Sequence, residues 1–179
     1  MRKSLLSILF IFPFFILNAQ KIAESIIDPF TGKQVIYTDW SRFYDGEGAS
    51  EQMASEVRFR YEHDRDFMQI KIITGSVVLT SKEGAKIDFK TDKGVFSFSN
   101  LRTETAGRGK GLKGGNSPQL GMTLQFTGDF DVFLDSKVEK IRLHFVEGYY
   151  DIDVPVKHQK VFRKAYELIV LEVKDDVKK

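Results

Sequence analysis

The chain has 179 residues, with 27 Lys and Arg, 25 Asp and Glu, and no cysteine. Taking Arg2 and Lys3 away with an N-terminal signal leaves 25 cations against 25 anions. This neutral balance disfavours nucleic acid or an anionic membrane as the main partner, because such partners are usually met by a clear cationic excess. The lack of cysteine excludes disulfides, thiol catalysis and a lipid-modified cysteine anchor. We expect a single domain over residues 20–173 and a charged tail over residues 174–179.

The N-terminus has the three-part pattern of a cleavable secretory signal. Arg2 and Lys3 form a basic start, an almost unbroken apolar run follows to Leu17, and Ala19 precedes the expected cleavage site. The apolar run is shorter than the roughly 20 residues that span a bilayer, so we expect no retained transmembrane helix. The sequence therefore predicts export, either to the periplasm or by secretion from the cell.

Short alternating segments with turn residues between them predict an antiparallel sheet. The segment before residue 34 is interpreted as a loop, residues 43–53 as a surface connection, and residues 130–136 as either a short helix or a strand. The expected strands cover residues 35–38, 56–62, 67–72, 77–80, 86–90, 95–99 and 119–126.

Two predicted hairpins place their apolar side chains on one face. The first closes through a four-residue loop at residues 63–66. The second closes through a two-residue turn at Glu147-Gly148, which sets Phe145 opposite Tyr150. A slip of one residue would turn an apolar stripe towards water, so we expect the register of the hairpins to be specified.

The C-terminal segment changes from the strand period to the helical period. Apolar residues recur at helical spacing from Val161 to Val173, which predicts a helix from about His158 to Glu172. The expected fold class is α+β and β-rich: an antiparallel meander sheet or sandwich with a C-terminal helix packed on it.

Four residues of the second hairpin could perform acid–base chemistry. The expected register sets Arg142 opposite Asp153 and His144 opposite Asp151. A carboxylate beside an imidazole can raise its pKa and hold one tautomer. Ion pairs on a solvated sheet face explain the same residues without catalysis, and we favour that interpretation.

A group of potential metal ligands lies in the first hairpin. Glu62, His63, Asp64 and Asp66 offer oxygen and imidazole donors within one turn. Arg65 places a positive charge among them, and a hairpin tip is polar in any case. We expect neither a bound metal nor a cofactor.

Residues 106–118 form a glycine-rich loop that carries Arg108, Lys110 and Lys113. Residues 109–114 match G-x-G-x-x-G, but a strand rather than a helix follows, which argues against a dinucleotide site. We interpret the segment as a flexible solvated loop. An acidic polysaccharide or a lipid headgroup is the alternative ligand for its cations.

Trp40 is the single tryptophan of the chain and a second candidate for ligand binding. An indole can stack on a sugar, although a lone tryptophan at a strand end more often packs against the edge of the core. The sequence contains no G-x-S-x-G or H-E-x-x-H motif. Hydrolase classes with readable motifs are therefore not supported.

Three segments and the closing helix resemble small exported β-rich domains of Gram-negative bacteria that have no assigned activity. The segments are Asp28-Pro29-Phe30-Thr31-Gly32-Lys33, Lys140-Ile141-Arg142-Leu143 and Asn18-Ala19-Gln20. The resemblance spans most of the mature chain. It implies antiparallel strands followed by a C-terminal helix, and it transfers no catalytic residues.

The expected function is a non-enzymatic binding or accessory module of the cell envelope, with an envelope protein or a polysaccharide as partner. The alternative is a hydrolase acting on glycan or peptide through the acids near Arg142 and His144. Clustered acids in a pocket at these residues would favour the enzyme. A flat polar face beside an exposed apolar patch would favour the binding module.

Overall fold

The computed structural model describes residues 20–49 and 51–176. The expected signal over residues 1–19 and the last three residues of the expected tail lie outside these ranges. Within the described part of the chain, no helix has both the length and the apolar composition needed to cross a bilayer.

The described residues form thirteen strands, two short 3₁₀ helices and one α-helix. The strands are β1 (Ile22–Ile27), β2 (Gln34–Thr38), β3 (Ser41–Tyr44), β4 (Ser55–Glu62), β5 (Arg65–Gly75), β6 (Thr80–Ser81), β7 (Lys86–Thr91), β8 (Gly94–Asn100), β9 (Glu104–Thr105), β10 (Gly107–Arg108), β11 (Leu120–Thr127), β12 (Val138–Phe145) and β13 (Gly148–Asp153). The helices are η1 (Phe130–Phe133), η2 (Val156–His158) and α1 (Val161–Asp176).

Eleven of these strands form one open sheet in which the pairs are antiparallel. Its main order is β1-β2-β4-β5-β11-β8-β7-β12-β13, with β3 beside β4 and β10 beside β11. Helix α1 packs against β2, β3 and β4. The predicted fold class, a β-rich α+β fold with a C-terminal helix on an antiparallel sheet, is confirmed.

A short junction divides the sheet into two wings. Strands β11 and β8 pair only through Phe126 with Asn100 and Thr127 with Ser99, whereas β11 pairs with β5 along its whole length. We call β1 to β5 with β10 and β11 the first wing, and β7, β8, β12 and β13 the second wing.

Aromatic rings from both wings meet at Phe133 in η1. Its ring centroid lies 6.1 Å from Phe59, 5.1 Å from Phe89, 5.7 Å from Phe98 and 5.3 Å from Phe162. These rings come from β4, β7, β8 and α1, and Phe133 is fully buried. Tilted and edge-to-face contacts at these distances are favourable aromatic geometries. The core therefore lies between the inner face of the sheet, which carries Phe59, and the two helices η1 and α1.

Residues 130–136, for which helix and strand both remained open, contain the 3₁₀ helix η1. The Oδ1 atom of Asp129 accepts a hydrogen bond of 3.0 Å from the backbone N–H of Asp131. This is the N-cap interaction that satisfies a free amide at the start of a helix. It positions Phe130 and Phe133 in the core.

Two segments expected to be irregular belong to the folded sheet. Strand β1 occupies part of the expected N-terminal loop, and its side chains are mostly exposed, which explains the missing apolar alternation. The expected surface connection over residues 43–53 contains the end of β3, and Phe43 and Met53 are buried.

The C-terminal helix begins and ends later than expected. The 3₁₀ helix η2 covers Val156–His158, and α1 runs over Val161–Asp176. The start of the expected charged tail is therefore helical as far as Asp176.

The register of both hairpins differs by two residues from the predicted one: the first hairpin has a shorter loop, and the second has its two-residue turn one residue earlier, at Val146-Glu147. In the first, His63 and Asp64 form a two-residue turn with φ of 51° and 62°. In the second, Phe145 pairs with Gly148 rather than with Tyr150. A shift of two residues changes the cross-strand partners but keeps every side chain on its expected face.

Asn100 holds the junction between the wings. Its side chain is buried, and its Nδ2 donates to the carbonyl of Arg102 at 2.6 Å and to the Ser81 hydroxyl at 3.1 Å. Its Oδ1 accepts a 3.3 Å bond from the backbone N–H of Gln125. The amide thus connects β8, β6 and β11 where strand pairing is short.

We expect Asn100→Ala to lower the free energy of unfolding by about 2 kcal/mol, because it leaves buried backbone groups without partners. Denaturant unfolding followed by circular dichroism measures the change. The matched control is Asn116→Ala at an exposed loop position, where we expect a change within about 0.5 kcal/mol. Equal effects of the two variants would contradict the role of Asn100.

Candidate functional site

The ion pairs of the second hairpin differ from those expected. Arg142 donates from Nε and Nη2 to the two carboxylate oxygens of Asp151 at 2.6 and 2.7 Å. Asp153 pairs instead with Lys140 at 3.0 Å. The predicted pair of Arg142 with Asp153 is wrong because the turn lies one residue earlier than predicted, which shifts the cross-strand pairing by two residues.

His144 pairs with Asp88 of β7 rather than with Asp151. Its Nε2 lies 2.8 Å from Asp88 Oδ2, and the Ser97 hydroxyl donates to Asp88 Oδ1 at 2.6 Å. Burial raises the pKa of Asp88, but the hydrogen bonds from Ser97 and His144 outweigh it and leave the pKa below its ordinary value. A serine nucleophile needs the imidazole between the hydroxyl and the carboxylate. Here the carboxylate lies between them, so the serine is not activated.

The four potential metal ligands of the first hairpin point to different partners. The pairs are Glu62 with Arg60, His63 with Thr31 at 3.3 Å, Asp64 with Lys33 at 2.7 Å, and Asp66 with Tyr166 at 2.7 Å. In the described part of the chain, no group of three or more His, Asp and Glu side chains is arranged to hold a metal ion.

Asp66 connects the sheet to the C-terminal helix. Its Oδ2 accepts the hydrogen bond from the Tyr166 hydroxyl, and its Oδ1 is buried without a hydrogen bond. Burial raises the pKa of Asp66 above its ordinary value, although the bond from Tyr166 acts in the opposite direction. The folded protein therefore holds the ionised Asp66 carboxylate in an electrostatically unfavourable position.

The glycine-rich loop lies flat on the outer face of the first wing, the face opposite the core. A Cβ atom added to Gly111 would come within 2.6 Å of the Ile72 carbonyl oxygen, and one added to Gly121 within 2.6 Å of the Gly111 Cα. The Thr123 hydroxyl donates to the Lys110 carbonyl at 3.0 Å. Glycine is needed here because two backbones touch, and this contact fixes the position of Lys110.

The three cations of this loop do not converge. Arg108 is exposed on β10, and Lys113 pairs with Glu51 at 3.0 Å. Lys110 borders a cavity of about 490 Å³, which we call the Lys110 cavity. Its other side chains are Lys71, Arg102, Glu104 and Thr123.

A larger concavity of about 740 Å³ lies beside Trp40, and we call it the Trp40 cavity. Four cationic side chains border it: Lys21, Arg42, Lys157 and Lys164. They come from the segment before β1, from β3, from η2 and from α1. One carboxylate, Asp39, also lines the cavity.

Trp40 lies on the outer face of the sheet rather than at the edge of the core. The Arg58 guanidinium carbon is 4.5 Å and the Lys71 Nζ 4.1 Å from the indole centroid. Both distances are within the range of cation–π attraction. Burial lowers the pKa of both Arg58 and Lys71. The two cations hold the indole in place at the wall of the Trp40 cavity.

The lysines of the Trp40 cavity make exposed ion pairs or no ion pair with the described residues. Lys157 lies 3.2 Å from Asp45, Lys21 lies 3.6 Å from Asp39, and these lysine side chains are 67% and 74% exposed. Lys164 makes no ion pair with any described residue. Exposed pairs of this kind contribute only about 0–1 kcal/mol, so an anionic ligand can replace the protein carboxylates.

His158 adds an unpaired polar atom to the wall of the cavity. Its Nε2 is buried without a hydrogen bond and lies 3.9 Å from Asp45 Oδ2, too far for one. Burial, followed by the charge of Lys157, lowers the pKa of His158. A neutral imidazole therefore faces ligands here at neutral pH.

Trp40 and Lys110 are candidates from the sequence, whereas the cations that line the Trp40 cavity are not. Arg42 follows Trp40 by two residues, but Lys157 and Lys164 reach the cavity only because η2 and α1 pack on β3. No local sequence motif predicts that these cations line one cavity. In the sequence, Arg58 and Lys71 look the same as the other polar residues of alternating strands.

The protein is an open antiparallel sheet with a C-terminal helix packed on it, and cations line two cavities on its first wing. No protein family model matches the chain, and the comparisons with curated proteins and with solved structures found no match. The function must therefore be inferred from the chemistry of the site.

We expect Asp66→Asn to stabilise the fold by about 1 kcal/mol at neutral pH, because asparagine keeps an acceptor for Tyr166 without a buried charge. A carboxyl whose folded pKa is raised gives its full stability below its unfolded pKa of about 3.9 and loses it as the pH rises through the folded pKa. The advantage of the variant should therefore grow from pH 4 to pH 7 in denaturant unfolding.

Asp64→Asn is the matched control for this measurement. Hydrogen bonding to Lys33 lowers the pKa of the exposed Asp64 carboxyl, so any stability it provides is lost as the pH falls. If the free energy of unfolding of Asp66→Asn ran parallel to that of the wild type at every pH, the result would contradict an unfavourable position of the Asp66 carboxylate.

Proposed function

We propose that this protein is a non-enzymatic binding module of the cell envelope and that its ligand is an acidic carbohydrate held in the Trp40 cavity. The observation that carries the proposal is that four cationic side chains and the single tryptophan of the chain line the same cavity. The envelope polysaccharide is thus favoured over an envelope protein as the partner.

The side chains of the cavity match the two chemical features of an acidic sugar. Lysine and arginine attract carboxylate or sulfate groups, and a guanidinium such as Arg42 can donate two parallel hydrogen bonds to one of them. The indole of Trp40 offers an apolar face to a sugar ring. Because the mature chain is neutral overall, this attraction is local to the cavity.

The carboxylates of the cavity support binding rather than hydrolysis. Glycosidases generally need two carboxylates that flank the scissile bond. Asp39 is the one carboxylate among the described residues that line the Trp40 cavity, and it pairs with Lys21. The acids near Arg142 and His144 are occupied by ion pairs on the second wing.

We expect Arg42→Gln with Lys164→Gln to weaken binding of oligogalacturonate by about tenfold, because two charge-assisted contacts are lost. Trp40→Ala should weaken binding to a similar degree, while Trp40→Phe keeps a stacking ring and loses less. Titration calorimetry at low salt measures the affinity, and the wild-type affinity should fall as salt is added.

Lys93→Gln is the matched control, because Lys93 is an exposed lysine in the turn between β7 and β8. Binding that is equally weakened by this variant, or equal binding of neutral dextran to the wild type, would overturn the proposed function.

We also propose that the protein acts outside the cytoplasm, on the basis of the basic start and apolar run before Ala19. Fractionation of cells expressing the full chain with a C-terminal tag should recover a shortened protein in the periplasm or medium. Replacing Ile8 and Phe12 by aspartate should retain the uncut protein inside the cell. An uncut cytoplasmic wild-type protein would contradict export.

A further inference from the structure

We infer that the ligand is a linear acidic glycan that runs from the Trp40 cavity across the outer face of the first wing to the Lys110 cavity. This inference rests on the proposed function and specifies its ligand as an extended chain rather than a single sugar. It follows from the register of four neighbouring strands and from one shared contact between the cavities.

One cross-strand row connects the two cavities. Arg42 of β3 pairs with Glu56 of β4, Glu56 with Lys71 of β5, and Lys71 with Thr123 of β11. The row faces outward, because its members lie next to buried core residues such as Phe43, Val57, Ile70 and Leu124. Neighbouring strands are about 4.8 Å apart, so the row spans roughly 14 Å.

Trp40 and Lys71 form a wall common to both cavities. Trp40 borders the first cavity and Lys71 the second, and the Lys71 Nζ lies 4.1 Å from the indole centroid. A chain leaving the first cavity therefore passes over Lys71 on its way to the second.

The far end of the row carries two further cations. Thr123 fixes the backbone of Lys110 through the hydrogen bond to its carbonyl, and Arg102 stands across the same cavity. Arg102 pairs with Glu104 at 2.7 Å, and the Arg102 side chain is 60% exposed. Lys110 donates to the Thr105 carbonyl at 3.4 Å. Both cations are available to an incoming anionic group.

The spacing of these charges fits a ligand with repeated anionic groups. Positive groups lie in the Trp40 cavity and in the Lys110 cavity, and Lys71 is the cation of the Lys110 cavity that lies next to Trp40. One monosaccharide cannot contact the cations at both ends of a row of roughly 14 Å. An oligosaccharide with an acid on successive units can do so, and each additional contact raises its affinity.

Titration calorimetry with galacturonic acid oligomers of two lengths tests the inference. We expect the wild-type protein to bind the hexasaccharide about tenfold more tightly than the disaccharide. Arg102→Gln with Lys110→Gln should remove most of this difference and leave disaccharide binding unchanged. Arg42→Gln with Lys164→Gln should weaken the binding of both oligomers. A heparin-derived hexasaccharide, run in parallel, distinguishes sulfate from carboxylate as the recognised group.

Glu56→Gln gives a test in the opposite direction. Glu56 lies in the row and accepts from Arg42 at 3.5 Å, so it competes with an anionic ligand. We expect this variant to bind the hexasaccharide several-fold more tightly and the disaccharide much less so. An increase in affinity cannot result from a damaged fold.

The outcomes separate the two proposals. Equal wild-type affinity for both oligomers would overturn the extended ligand and leave the Trp40 cavity as the site. Binding of neither acidic oligomer would overturn the proposed function and the inference with it. Single-stranded DNA that binds as tightly as the hexasaccharide, with the same dependence on Lys110, would overturn a glycan as the ligand class.

Discussion

The structure depends on packing between the inner face of a divided sheet and the aromatic rings around Phe133. Rings from β4, β7, β8 and α1 contact this one side chain. The chain has no cysteine and therefore no disulfide bond. Burial of these aromatic rings holds the two wings together. Because η1 supplies the central ring, its cap at Asp129 helps to hold that ring in the core.

The same packing sets the binding surface. Side chains in a strand alternate between faces, so every buried residue of β4 or β5 forces its neighbours onto the outer face. Burial of Val57 and Ile70 in this way places the half-buried Glu56 and Lys71 on the outer face. The outward direction of the cross-strand row is thus a direct consequence of core formation, and the cavities at its ends are formed together with the helices η2 and α1 at one end and the glycine-rich loop at the other.

Much of the fold, but little of the site, could be predicted from the sequence. Alternation identified most of the long strands and the faces of Leu143 and Ile152, which are buried as expected. The strand predicted over residues 77–80 is wrong, because residues 77–79 lie outside the strands and Val77 and Val78 are exposed. Alternation could not set the register, because a shift of two residues leaves every face unchanged. The turns decide the register, and His63-Asp64 adopts two positive φ angles without glycine, which sequence propensity does not indicate. The cations of the Trp40 cavity come from distant segments, so only tertiary packing brings them together.

The short junction at Asn100 has a consequence for how this molecule can change over time. Since β8 and β11 share so few backbone bonds, a change in the second wing reaches the cross-strand row of the first through the shared aromatic core. Substitutions of the ion-paired residues on the outer face of the second wing lie away from that core. We therefore expect that outer face to vary in sequence while Arg42 and Lys71 stay in place.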